Sequence, residues 1–521
     1  MTGIFVHQKV RFTNLIVSLL CLCHPVVASD LYQADSHFQQ ASYELAREAY
    51  IDAANVGSAH AFYQLGVMHY RGLGVPQDSI KALVWFNLAA EQKFNDAPSI
   101  VADLLELVPT DNQADVDQLL LTFREHYGVQ PLAEKYYPVI NSAALPHKIY
   151  FAEEGQDEQH ASLSYEYIDT VDFDRLQEVQ DEAEREGDGR RFAASMLFPR
   201  GRMVPVWMRP YSAVVDFDVG ADGSARNFQT SHEIGYTKSA LSNLSINGGP
   251  SPQFAEKNIS FLNRAYLGVA GYTRAKIRSE SYFQFYVAFE RKARKLRNNP
   301  DAEHQFNLAL LLMSFNWLSQ NDNEIEQILT GLAESGFPLA QYEYGTKLYR
   351  EQRDIPLAVH WLSEASKYGV AKAQYRLARI LLDSPWVERD EKKALIWLKK
   401  AAKNGHEVAG LKAAELLLLA SDKALHDFES AKTYLSQAAE SQSDNPEYEY
   451  LLAMQNYLVT PRNLPSAVEH IREAISLADR FNWDSNEWQS LLANWTSNGS
   501  VTIVEPRAYF GATHNFTLCI N

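Results

Sequence analysis

Ala358-Val359-His360-Trp361-Leu362-Ser363-Glu364-Ala365 with Gly369, and 36 residues later Ala394-Leu395-Ile396-Trp397-Leu398-Lys399-Lys400-Ala401 with Gly405, decide the fold. Each small, aromatic or glycine position of the first stretch returns in the second at one offset. The pattern continues outward as Ala431, Tyr434, Leu435 and Ala438, then as Ala467, His470, Ile471 and Ala474. A companion stretch repeats ahead of each unit, with Ala340-Gln341-Tyr342, Ala373-Gln374-Tyr375 and Ala409-Gly410-Leu411. The N-terminal part has the same grammar. Ala61, Tyr63, Leu65 and Gly66 come first, Tyr70-Arg71-Gly72-Leu73-Gly74-Val75 next, and Lys81-Ala82-Leu83-Val84-Trp85-Phe86 with Ala89-Ala90 last. Ala46, Tyr50 and Ala53 form a half-unit before it. Self-similarity at a fixed period is the mark of a repeat architecture.

Spacings of three and four place these residues on one face of a helix. The alanines let paired helices approach, and the large Trp, Tyr and Leu side chains fill the space between neighbouring pairs. Gly72 and Gly74 can take the positive φ of a tight connection. One pair cannot bury its apolar face alone, so stacked pairs are predicted to form α-solenoids with a continuous core. The expected fold is mainly α. Two helix-turn-helix arrays, over 30–127 and 291–480, flank a small α+β domain with an antiparallel sheet over 128–290, and 481–521 is a tail. Tyr63, Tyr70, Tyr342 and Tyr375 are the repeat-face residues expected to contact a protein partner.

Residues 61–96, through Gly66, Tyr70, Gly72, Gly74, Val75, Asp78, Lys81, Ala82, Trp85, Ala89 and Ala90, resemble a bacterial Sel1-like repeat, a relative of the tetratricopeptide repeat. Residues 338–405 resemble two more, and 406–480 two degenerate ones. Residues 97–127 read as a closing helical pair. The later units depart from the pattern, since Arg350-Glu351-Gln352-Arg353-Asp354 and the hairpin around Pro385 lack the two glycines. Those connections should differ in shape. The resemblance implies a concave protein-binding scaffold without catalysis.

Between the arrays the helical grammar stops. Ala213, Val215, Phe217 and Val219 alternate with Ser212, Val214, Asp216 and Asp218, which predicts a strand. Gly220-Ala221-Asp222-Gly223 is a hairpin turn, and Ala225 to Thr230 should return antiparallel. Gln253 to Tyr266 is expected to be a helix. Tyr282 to Phe289, with Phe283, Phe285, Val287 and Phe289 alternating, is expected to be an edge strand. From Phe198-Pro199 to this last strand the order is similar to the C-terminal domain of TonB-type energy transducers. That family's Trp-x-Phe/Tyr-x-Pro is replaced here by Ala265-Tyr266-Leu267-Gly268. The resemblance implies pairing of a sheet edge, here Phe283 and Phe285, with an outer-membrane receptor or another component of a TonB system.

The chain has 521 residues, 46% of them hydrophobic, and a formal net charge of −17. The acid excess argues against nucleic-acid binding, which needs a basic face. Lys9 and Arg11 before the apolar Leu15 to Cys23, with Val26-Val27-Ala28-Ser29 after it, read as a cleaved signal peptide over 1–28 and place the protein in the periplasm. The apolar run is too short for a stable membrane span of about 20 residues. Lys9 and Arg11 leave with the signal and no acid does, so −17 becomes −19 and Cys519 is the single remaining thiol. No metal or cofactor site is expected, because there is no His-Glu-x-x-His pair and no phosphate-cradling loop. Gly187 to Arg191 reads as a turn, and the basic run Arg291 to Arg297 as a solvated helix. Asn243, Asn258, Asn494, Asn498 and Asn515 head chance Asn-x-Ser/Thr triplets. Asp216 and Asp218 share one strand face, which is expected to be solvated. The rival class is an envelope enzyme, a cell-wall or peptide hydrolase, with Asp216, Asp218, His232 and Glu233 in its site.

Overall fold

The computed structural model describes residues 30–151, 211–234, 237–278 and 283–497. The signal-peptide segment, the three cysteines, Gly187 to Arg191, Phe198-Pro199, Asn498 and Asn515 lie outside them. The N-terminal array comprises α1 (Asp30–Gln39), α2 (Tyr43–Ala54), α3 (Ala59–Arg71), α4 (Ser79–Glu91), α5 (Ala97–Glu106), α6 (Gln113–Tyr127) and α7 (Val129–Tyr136). Gly72 and Gly74 take φ of 71° and 68°, as the α3–α4 hairpin requires. A Cβ on Gly66 would stand 2.8 Å from the Phe86 ring, so α3 and α4 pack too closely for any side chain there.

A strand, β1 (Tyr150–Phe151), precedes the central sheet, made of β2 (Ser212–Val219), β3 (Ala225–Ile234) and β6 (Phe261–Gly268). Between β3 and β6 lie α8 (Lys238–Ile246), β4 (Pro252–Phe254) and β5 (Lys257–Asn258). The sheet order is β3-β2-β6, antiparallel throughout, and β1-β4-β5 form a second small sheet. The expected hairpin at Gly220 to Gly223 joins β2 and β3. The expected helix over Gln253 to Tyr266 is instead β4, β5 and β6. Six of the eight β6 residues, Tyr266 and Gly268 excepted, and all of β2 are buried, on both faces of each strand. A strand covered on both sides loses its alternation, and its apolar residues then imitate helical spacing. The helix of this module lies earlier, at α8, where Ala240 and Leu244 join the core under the apolar sheet face of Ala213, Val215, Phe217 and Val219.

After the short α9 (Arg274–Ile277) comes α10 (Phe283–Arg297). This corrects the strand expected over Tyr282 to Phe289. The aromatic alternation there is a local coincidence inside a stripe at helical spacing, Tyr286, Phe289, Ala293 and Leu296. That stripe packs on Phe315 and Trp317, with Phe289 and Phe315 stacked at 4.2 Å. The basic run closes this helix, and Arg297 pairs with Glu324 at 2.6 Å.

The C-terminal array continues as α11 (Ala302–Ser314), α12 (Glu324–Glu334), α13 (Pro338–Arg350), α14 (Ile355–Lys367), α15 (Ala371–Asp383), α16 (Glu391–Lys403), α17 (Ala409–Leu419), α18 (Phe428–Gln442), α19 (Pro446–Leu458), α20 (Leu464–Arg480) and α21 (Asn486–Ser497). The second helix of each repeat starts at one capping position. Asp78, Asp354, Asp390, Asp427 and Asn463 each accept a hydrogen bond from a backbone N–H of the first turn.

Residues 136–151 form a strap that ties the N-terminal array to the C-terminal one. Trp397 Nε1 donates to the Tyr136 carbonyl at 2.7 Å, Lys393 Nζ to Tyr137 and the Glu388 N–H to Val139, each at 2.9 Å. Ile140 bridges Val387, and Trp386 Nε1 donates to the His147 carbonyl. The hairpin after α13 does differ in shape, as its missing glycines predict. Gln352 takes a φ of 51°, and its amide both accepts from and donates to the Ile149 backbone. The strap holds that hairpin in place of glycine. Lys400 and Lys403 on α16 add ion pairs to Asp52 on α2 at 3.2 and 2.7 Å.

Candidate functional site

The first helices of successive C-terminal pairs present one face to the central sheet. A single position of the repeat, three residues after the invariant small residue of Ala340, Ala373 and Ala409, carries Glu343, Arg376 and Lys412. All three are buried. Buried charges need partners, and here the sheet supplies them or shares one. Arg264 on β6 donates to both carboxylate oxygens of Asp216 on β2, at 2.6 and 2.7 Å, and to Glu343 at 3.0 Å. Arg376 holds Asp218 at 2.6 Å, and the Tyr375 hydroxyl and Asn227 donate to the same carboxylate at 3.1 Å. Lys412 pairs with Glu447 of α19 at 2.7 Å, and Glu447 also meets Arg226 of β3 at 3.2 Å. Lys372 Nζ donates to the Thr230 carbonyl.

Asp216 and Asp218 do share a strand face, but that face is not solvated. They are 0% and 3% exposed, sealed between β2 and the solenoid. Burial alone would raise the Asp216 carboxyl. The Arg264 guanidinium, with Arg350 and Arg376 behind it, outweighs burial and holds it at about 2. Asp218 is likewise kept well below the carboxylate range, burial again being outweighed by the charge of Arg376. Carboxylates locked in the ionised form are poor proton carriers near neutrality, so this pair grips rather than titrates. Of the other residues in the enzyme reading, the Glu233 carboxylate accepts from the Thr237 hydroxyl, and the His232 side chain lies outside the described set. Among the described residues no cluster of His, Cys, Asp and Glu could hold a metal ion, and no helix is long and apolar enough to cross a membrane.

The candidate tyrosines separate. Tyr342 and Tyr375 belong to the inner face and are buried under the sheet. Tyr63 is half-buried, edge-on to Phe86, and donates to Asp96 at 2.8 Å. Tyr70, at the end of α3, is 46% exposed and open to a partner. Phe283 is exposed on the first turn of α10, not on a strand, and the Phe285 side chain is outside the described set. The residues that sequence reasoning missed are Glu343, Arg376 and Lys412. Their signal was available, as charges at a fixed inward position of otherwise apolar helices.

His406 stacks on Tyr375 at 4.1 Å, and burial, with the nearby Lys372 and Arg376, lowers it to about 3. In the unfolded chain it takes its proton near 6.5. The unfolded state therefore gains protons first as pH falls, and this contribution to stability drains away below 6.5. The Asp216 and Asp218 contributions are full above their ordinary value of 3.8 and are lost as pH falls below it. Thermal unfolding followed against pH should show Tm falling from neutrality, most steeply below about 4. His406→Gln should flatten only the upper part of that curve. A Tm level down to about pH 3 would contradict the sealed network.

Stacked helix pairs with a recurring cap and a recurring inward charge define an α-solenoid of the tetratricopeptide-like class, a protein-interaction scaffold. The chain carries Sel1 repeats, the repeat model matching residues 59–94, 338–369 and 371–406. Among solved structures it is similar to a Sel1 repeat protein from Oxalobacter formigenes, at 20% identity over 35% of this chain and 76% of that one, with a TM-score of 0.30. It is also similar to c5321, a protective antigen of uropathogenic Escherichia coli with an SLR fold, at 17% identity over 92% and 88% of the two chains, with a TM-score of 0.28. Yeast Tom70 aligns at 15% identity over 87% of this chain and 76% of its own, with a TM-score of 0.24. No curated protein matches the chain.

Proposed function

We propose that this protein is an exported scaffold of the bacterial envelope that binds other proteins through surfaces outside its occupied inner face. The observation that carries the reading is the grip of Glu343 on Arg264 and of Arg376 on Asp218. The C-terminal repeats already bind a protein segment, the chain's own sheet, through side chains set by the repeat. The scaffold is thus loaded from within, and the N-terminal array, with Tyr70 exposed, is left for partners. The apolar run Leu15 to Cys23 behind Lys9 and Arg11 supports export to the periplasm.

The finer version, an accessory to TonB-dependent outer-membrane transport, rests on the resemblance of the central segment. With α10 over Phe283–Arg297, its strand pairing would fall to β3, one edge of the sheet, rather than to Phe283 and Phe285. A photo-crosslinking residue in place of Tyr70, in cells of the native host, tests the main reading. Discrete higher-mass adducts in the periplasmic or outer-membrane fraction are expected. Adducts confined to the cytosolic fraction, or none, would sink it.

A further inference from the structure

The strap shows how this array holds extended backbone, and one repeat earlier the same elements stand unused. We propose that the cleft between the two arrays binds an extended, basic peptide segment of a partner protein through Trp361 and Gln341. The proposal deepens the scaffold reading and rests on it.

The cleft has a volume of about 640 Å³, within the range of sites that enclose a ligand of a few residues. It lies where the helix ends of the N-terminal array (Gly57 to His60 and Glu91 to Phe94) and the start of the strap face α14. Trp361 and Trp397 occupy the same repeat position, 36 residues apart. Trp397 Nε1 donates to the backbone carbonyl of Tyr136. Trp361 Nε1 is buried with no acceptor, and Trp361 lines the cleft.

Gln341 and Gln374 are likewise equivalent. Each side-chain amide donates to the carbonyl that ends the preceding repeat, Gln341 to Ala333 at 3.2 Å and Gln374 to Ser366 at 3.1 Å. Gln374 Oε1 then accepts from Asn404 at 3.0 Å. In the earlier repeat Tyr368 stands where Asn404 would be, so Gln341 Oε1 is buried without a donor, and Gln341 also lines the cleft. An unused donor and an unused acceptor in one cleft are what a peptide backbone satisfies, since it brings a carbonyl and an N–H together. Leaving both buried and unpaired is costly, which favours an occupant.

Charge sets the side chains. Glu91, Glu334 and Glu364 line the cleft against one lysine, Lys367, which is already bound to Glu364 at 2.6 Å, and the histidines His60 and His360. The remaining acids favour Lys or Arg, and the rings of Trp361 and Tyr368 give such cations a face to lie on, as Tyr137 already does for Lys367.

The test is calorimetric titration of the chain lacking residues 1–28 with an acetylated, amidated Ala-Lys alternating octapeptide, and with its Ala-Glu counterpart. The lysine peptide should bind saturably and the glutamate peptide should not. Trp361→Phe keeps the ring and removes the donor, so it should weaken the lysine peptide about tenfold at unchanged Tm. Trp386→Phe, which removes the bond to His147 at the far end of the strap, should lower Tm and leave peptide affinity near the parent value. Equal binding of both peptides, no effect of Trp361→Phe, or no saturable binding would each overturn the proposal. Tyr70 adducts that persist alongside any of those results would leave the scaffold reading standing and remove only the cleft.

Discussion

Arg376→Met is expected to lower the unfolding free energy by about 3–5 kcal/mol, the cost of stranding one partner of a buried ion pair. Arg376 lies 2.6 Å from Asp218, and both are almost fully enclosed. Without the guanidinium, the carboxylate keeps only Tyr375 and Asn227 as donors, with almost no exposure to solvent. It must then either stay charged at a large desolvation cost or take up a proton. Removing both charges is a different perturbation. Asp218→Leu combined with Arg376→Met should recover most of the loss, because an apolar pair of similar volume often matches or exceeds a buried salt bridge. Urea denaturation of the parent, the two single variants and the double variant closes the cycle. A single-variant loss below about 1 kcal/mol would place the pair in contact with solvent and undo the sealed interface.

Trp386→Ala should cost a similar amount, about 3–5 kcal/mol, by a different route. Trp386 is 1% exposed. Its ring meets Phe254 of β4, Phe261 of β6 and Tyr349 of α13 edge-on, at centroid distances of 6.1, 6.0 and 5.7 Å. Its Nε1 donates to the strap carbonyl of His147 at 2.9 Å. One side chain therefore joins the small sheet, the main sheet, the strap and the array. Alanine leaves a large cavity among four elements that cannot all close on it. Amide exchange at Asn141 and Glu388, whose N–H groups bond across the strap contact, should accelerate strongly. Exchange within α3 and α4 should change little. A uniform acceleration across both arrays would show that the strap is not a separate joint.

How much of this was legible follows from where each signal is stored. The repeats were legible because their geometry is local. Ala358 and Ala394, Trp361 and Trp397, and Gly369 and Gly405 recur at one offset, and small residues at helix contacts cannot be replaced without clash. A Cβ on Gly345 would stand 2.9 Å from Leu362 of α14, as one on Gly66 would from Phe86. The β2–β3 hairpin was legible from Gly220 to Gly223 for the same reason. The segment after it was misread because its environment is not local. β6 is covered on both faces, so Phe261, Leu262 and Ala265 carry no alternation to betray a strand. In α10 the aromatics at 283, 285 and 289 imitate one. The placement of Asp216 and Asp218 on one face was readable. Their burial was not, since the arginine that encloses Asp218 lies 158 residues along the chain. The inner-face charges were readable only once Glu343, Arg376 and Lys412 were aligned as one position of the repeat.

Solenoids of stacked helix pairs usually stretch and fray, because each repeat touches only its neighbours and can unzip alone. In this molecule the sheet reaches α13 through Glu343, α15 through Arg376 and α19 through Glu447, while the strap crosses from Gln352 to Trp397. Those links join turns of the superhelix that are not adjacent. A spring whose bore is filled and whose coils are laced together no longer extends coil by coil. Pulled or heated, the stretch from α13 to α19 should yield as one body, trading the elasticity of its kind for rigidity.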